Sequence, residues 1–405
     1  MTLESHQVLP RGIRLIAYAT GIRWIGWGMC EALIPVIAFS ITGTYAGAGI
    51  LAGISNTIFF VFFIPVGILF DRADIRKVLI AGLLLFMISS TGYFFAGMTR
   101  LAYFFVIAEI ATAFAILIDV IGRSAYIRKT ALFGGMSSAY GFSEAVNNLG
   151  TITGVTIGIF LSRFVDPYFL FLEVPPTTLV TAWIFYALLP PHQQMVAPTV
   201  TTNIPILQRC RRYLVEAIGA IKNWNIQTRA LLLLLLLCSS LLSIGMFIFP
   251  IHFFAEGAGT DKVFLAFGLS ALPFVFSTYL GSFADRWKHR ALLVGLASSA
   301  LTLFILSFVS SVAAQLICIF LLSLALILTQ LTIEGLVTRG IKPDEYGLLS
   351  SFVENMKALG PLVGPISIGF LVTTLGMPLS FQLLGGVVMV VLISAGYFCL
   401  QKPNL

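Results

Sequence analysis

Arg23, Trp27 and Glu31 recur at four-residue spacing and are the first side chains in the 405-residue chain whose types could do chemistry together. Each step of four turns a helix by only about 40°, so the three share one stripe. An ionisable group at bilayer depth costs at least about 2.5–3.5 kcal/mol unless it faces a cavity or a partner. A carboxylate in that stripe can take up a proton or meet a cationic solute, with Trp27 as a flat aromatic wall. The plainer reading is a permanent ion pair, from Arg23 to Glu31 or to another helix, that orients the segment. Pro35 follows Glu31 by one turn, and its missing backbone donor loosens the helix near the carboxyl. Farther along, Glu144, Glu354 and Lys357 stand in apolar surroundings. Three-residue spacing lets Glu354 and Lys357 neutralise each other on one face, while Lys357 or Arg23 could instead meet an anionic group. Glu109 and Glu334 place acids in two further apolar runs, and His252 with Glu256 makes a candidate pH-sensitive pair.

Such residues need elements that hold them in lipid. The chain is 58% hydrophobic and 10% charged, against about 25% charged in an ordinary soluble domain. Apolar runs long enough to span a bilayer are expected near 15–39, 47–70, 78–97, 102–121, 132–160 and 168–189, then near 228–253, 263–283, 291–309, 312–335, 347–373 and 378–400. This organisation predicts an all-α membrane protein with twelve transmembrane helices in two pseudo-symmetric six-helix bundles, 1–189 and 228–405, joined by a cytoplasmic linker at 190–227. Within that linker, 206–221 mixes charge and apolar residues as a surface-lying amphipathic helix or a solvated connection would.

Orientation follows from the basic residues. With the N-terminus in the cytoplasm, Arg72, Arg76, Lys77, Arg123, Arg128, Lys129, Arg286, Lys288, Arg290, Arg339, Lys342 and Lys402 collect on that side, and opposite loops keep only Arg100, Arg163 and Lys262. Both termini are therefore expected in the cytoplasm, in the plasma (inner) membrane. The net charge of +7 is read as this topology signal, not as a nucleic-acid surface. Five scattered cysteines have no zinc or redox spacing. The sequence has no phosphate-binding GxxxxGK[ST] loop, no HExxH pair and no GxSxG elbow, so neither ATP-driven pumping nor enzyme chemistry is expected. No cofactor or metal is expected either, and titratable acids favour a proton gradient as the energy source.

Two segments repeat across the halves. Gly67-Ile-Leu-Phe-Asp71-Arg72 with Arg76 matches Gly281-Ser-Phe-Ala-Asp285-Arg286 with Arg290, each after the second helix of its six. Phe142, Glu144, Leu149, Gly150 and Gly154 match Phe352, Glu354, Leu359, Gly360 and Gly364 in the fifth helix of each six. A duplicated six-helix unit follows. The glycines, with Pro361 and Pro365, suit helices that pack closely and bend.

With these residues in view, the chain resembles the major facilitator superfamily, whose loop between helices 2 and 3 carries a G-x-L-a-D-R-x-G-R-(R/K) motif. Residues 67–77 are similar to it, with Ala73 and Asp74 standing before Arg76. The arginine that family members often carry in helix 4 has no counterpart in the 102–121 run, where Glu109 stands. The resemblance implies a carrier working by alternating access, with helix 1 lining a central cavity. It also implies a latch in which Asp119 partners Arg72 or Arg76, with Asp285, Arg286 and Arg290 acting likewise in the second half. The function expected is proton-coupled efflux of a small organic solute by a monomer. Proton-linked uptake or facilitated transport of an anionic metabolite is the alternative within transport. A non-transporting membrane receptor or an intramembrane enzyme is the alternative from another class.

Overall fold

In the computed structural model, the described residues are 10–70, 74–130, 136–189, 224–339 and 346–401, and they form helices joined by short turns. The linker at 190–223, with its expected surface helix, lies outside them, as do Asp71 and Arg72. Helices are α1 Arg11–Gly28, α2 Ile34–Thr42, α3 Tyr45–Phe70, α4 Ile75–Thr99, α5 Ala102–Thr130, α6 Met136–Leu161 and α7 Val174–Ala187, followed by α8 Ile226–Ala255, α9 Thr260–Ala271, α10 Ser277–Trp287, α11 His289–Leu306, α12 Val312–Arg339, α13 Tyr346–Leu375 and α14 Met377–Gln401. Eleven helical stretches among the described residues are long and apolar enough to cross a membrane. The fifth expected span, α6, has 26 residues, which is length enough, but Glu144, Asn147 and Asn148 dilute the apolar character of its first half.

Three spans differ from the continuous helices expected. The first breaks after Gly28 into a 3-10 turn at Glu31–Leu33 before α2 resumes, with Pro35 in its first turn. The sixth starts with a 3-10 turn at Pro167–Glu173, where the Asp166 carboxylate accepts a hydrogen bond from the Tyr168 N–H. The eighth is divided by a 3-10 turn at Leu272–Phe276 with Pro273 as its second residue. Each break has a proline within or beside it, as the missing donor and the ring clash require. The fourth span runs on to Thr130, well past the expected end near 121. Arg123 therefore belongs to a helix and not to a loop.

Contacts divide the chain into two packing units. The first comprises Met1–Glu31, Val61–Thr99 and Tyr103–Val215; the second comprises Ala32–Phe60, Arg100–Ala102 and Glu216–Leu405. In the first unit, α1 lies along α6 and α7, and α4 lies along α7. Its core joins Ile16 and Ala19 of α1 to Leu79 and Leu83 of α4, Tyr126 of α5 and Phe185 of α7. In the second, α8 lies along α13 and α12, while α11 lies between α12 and α14. There α3 also meets α13: the Asn56 side-chain amide donates to the Pro361 carbonyl at 3.1 Å, and the Ala46 N–H donates to the Thr373 hydroxyl at 3.1 Å.

The repeated glycines do the same work in each unit. A side chain at Gly154 would run into the Ile25 carbonyl and Gly28 of α1, and one at Gly360 would run into the backbone at Ser239 and Ser240 of α8. Lipid is as apolar as any side chain, so helices in it associate through such close backbone approach. Gly154→Val should therefore force α1 and α6 apart and lower stability by about 1–3 kcal/mol. A thermal midpoint equal to wild type in purified protein would show that the seam is not needed.

Candidate functional site

α1 is the spine of the site. Its buried stripe places Arg23 at 0% exposure and Trp27 at 1%. The Arg23 guanidinium lies 4.1 Å from the Phe86 ring centre and 4.7 Å from that of Trp24, so it is held between two aromatic faces. One of its terminal nitrogens donates to Asp119 Oδ2 at 2.9 Å. The same oxygen accepts from Arg123 Nε at 3.1 Å, one turn farther along α5. Arg123 then reaches α6 through the Ser143 hydroxyl at 3.3 Å and Glu144 at 3.4 Å. Glu144 is 61% exposed while Arg123 is 7% exposed, so the network runs from the unit's interior to an open end.

Among the described residues Asp119 pairs with Arg23 and Arg123 and not with Arg76, whose guanidinium donates to the Tyr186 carbonyl and stacks on the Tyr186 ring at 5.0 Å; the other expected partner, Arg72, lies outside the described residues. Helical continuation to Thr130 is the physical reason, because it carries Arg123 back beside Asp119 at one-turn spacing. It also supplies a helix-4 arginine that no counterpart in the 102–121 run offered. Arg23 faces inward within the first unit, so it is not a cavity wall there.

Glu31 opens the 3-10 turn where the first span breaks, one turn beyond Trp27 and within electrostatic reach of Arg23. Trp27 packs edge-on to Phe86 and Tyr93 at 5.3 and 6.3 Å. Beyond it, the Tyr93 hydroxyl donates to Glu109 at 2.7 Å, and Thr112 joins this group through Tyr93 and Ser89. Glu109 is 2% exposed and lies inside the first unit.

In the second unit, Lys357 sits between two acids, 3.1 Å from Glu354 and 3.4 Å from Glu334. The expected pairing within α13 is present, and α12 adds Glu334, itself held by the Gln330 amide at 3.1 Å. The three side chains are 30%, 52% and 29% exposed, so this cluster is open where the Arg23 network is closed. His252 and Glu256 lie 3.4 Å apart at the end of α8. Gly67 falls near the end of α3. Asp285 lies beside Gly335, and Asp285, Arg286 and Arg290 are all exposed around the end of α10. No cluster of metal-ligating side chains is present among the described residues.

Sequence reasoning passed over Trp24, Phe86 and Ser143. The first could have been suspected from its place beside Arg23, but an aromatic in an apolar run gives no sign of which face it covers.

The sequence profile described as Major Facilitator Superfamily matches residues 16–353 and, separately, 263–404. No curated protein sequence matches the chain. Among solved structures, the nucleoside transporter NupG superposes with a TM-score of 0.71 at 13% identity, covering 96% of this chain and 99% of that one. A mutant form of the same transporter superposes at 0.75 with the same identity and coverage. The human organic anion transporter MFSD10 (TETRAN) superposes at 0.67 with 13% identity, covering 95% and 100%. These likenesses, at that identity, are of fold.

Proposed function

This chain belongs to the major facilitator superfamily, and from that premise we propose that it is a proton-coupled secondary transporter that exports a small organic solute by alternating access. The observation that carries this reading is Glu31: a carboxyl at a break in the first span, with an indole at one side and a buried arginine within electrostatic reach. A helix interruption at membrane depth is tolerated where backbone and side chains serve a site. Gain and loss of a proton there changes the charge at the break by one unit, which gives a conformational equilibrium something to respond to.

The half-exposed cluster of Lys357, Glu334 and Glu354 supports a role in meeting the solute, since it carries both signs of charge on a polar face. Two six-helix halves, 1–189 and 228–405, rocking as a monomer with both termini in the cytoplasm, complete the proposal. Uptake of an anionic metabolite is the second reading, favoured by Lys357 and by the likeness in fold to an organic anion transporter.

Proteoliposomes separate the two. With an imposed pH gradient, exchange moves solute against the proton flow and symport moves it with the flow, so reversing the gradient reverses accumulation in opposite senses. Export predicts accumulation on the acidic side; accumulation on the alkaline side assigns symport, and indifference to the gradient removes proton coupling.

A further inference from the structure

Of the five buried side-chain atoms of the first unit that have no hydrogen-bond partner among the described residues, all but Thr178 Oγ1 on α7 belong to one neighbourhood. They include Arg23 Nε and Nη1, Trp24 Nε1 and Asn147 Nδ2, all of them N–H donors. Arg23 and Asn147 are 0% and 4% exposed. The neighbourhood is closed by contacts. Arg23 lies over Trp24; Thr20, one turn below on α1, donates to Asn147 Oδ1 at 2.9 Å; Gly150, one turn above Asn147 on α6, abuts Trp24. Asp119 and Arg123 bridge the remaining side from Arg23 to Ser143, one turn below Asn147.

Two features of this ring point the same way. The buried charges in contact with one another are two guanidiniums and one carboxylate, since Glu144 lies at the open end and Glu31 acts on Arg23 only through space, from the break in the first span. The unmet groups named above are donors: guanidinium, indole and amide N–H groups accept no hydrogen bonds. A water molecule would bring two hydrogens of its own that need acceptors, and it carries no charge to set against the guanidiniums. A monovalent group that only accepts hydrogen bonds satisfies both the charge and the donors.

We propose that Arg23, Trp24 and Asn147 form a binding site for a compact monovalent anion, either a halide or the carboxylate of a small solute. Full burial of the guanidinium excludes a bulky ligand from the conformation seen here. Site occupancy does not depend on the transport reading, because a protein that moved no solute would still bind the anion.

The test uses full-length protein in nanodiscs, with chloride titrated against gluconate at constant ionic strength. A ligand that binds only the folded state raises the thermal midpoint with the logarithm of its concentration above Kd, here by about 2 °C or more. Bromide should quench a saturable share of tryptophan emission, and that share should be missing in Trp24→Phe. Asn147→Asp supplies the negative charge internally and keeps the acceptor for Thr20, so it should fold and lose the chloride response. Acetate that displaces bromide assigns the site to carboxylates; acetate without effect assigns it to halides. A wild-type midpoint that does not move with either anion, or an Asn147→Asp response equal to wild type, overturns the proposal.

Discussion

Asp119→Ala is expected to be among the most damaging single substitutions in the first unit, lowering stability by about 3–5 kcal/mol. Asp119 is 5% exposed and its Oδ2 accepts from both Arg23 and Arg123. Removing the carboxylate leaves a guanidinium with 0% exposure facing two aromatic rings and a second arginine, with nothing negative in contact with it. The desolvation cost of Arg23 is then uncompensated, and Arg123 keeps only Ser143 and the exposed Glu144. Thermal unfolding of purified protein reads the loss directly. The double variant Arg23→Leu with Asp119→Leu should be markedly more stable than Asp119→Ala, because the fully buried charge leaves with its partner and only Arg123, still held by Ser143 and Glu144, loses a contact. If Asp119→Ala melts at the wild-type temperature, Arg23 is solvated by some route that its burial does not reveal.

Glu31→Gln is expected to reduce pH-gradient-driven accumulation by at least about tenfold, the scale of a lost general acid or base. The amide keeps the size of the carboxyl and its acceptor oxygen. What it cannot do is exchange a proton. Solute exchange between two compartments at equal pH should therefore continue, because that half-reaction needs no change of charge at residue 31. Retention of full gradient-driven accumulation would take Glu31 out of the coupling mechanism and move attention to the open cluster of Glu334, Glu354 and Lys357.

Much of the fold could be read from the chain itself because lipid imposes a length and a composition on every span. The matched glycines were legible for the same reason: close packing without a hydrophobic driving force demands small residues, and Gly154 and Gly360 each meet the backbone of the partner helix. The Glu354–Lys357 pair was legible because helical spacing alone brings the two together. The Arg23–Asp119–Arg123 network was not. A window that ends a span where charge begins will cut α5 near 121, and the arginine beyond it then resembles a topology signal. Its burial depends on three helices meeting, with Asp119 lying 96 positions from Arg23 in sequence. The break before Glu31 was legible only in outline, since Pro35 marks weakness in a helix but does not say where the turn changes pitch.

The two prolines of α13 stand four residues apart, and each withholds the amide that would have closed a helical turn: Pro361 leaves the Lys357 carbonyl without its usual donor, and Pro365 does the same to Pro361. Asn56 supplies the second of these from α3. The gap that Pro365 leaves in α13 is thus filled by a residue 305 positions away in the chain. Withdrawal of α3 would bare a polar oxygen in hydrocarbon just above the lysine that gathers Glu334 and Glu354, so displacement of one rod and the posture of another are thermodynamically joined.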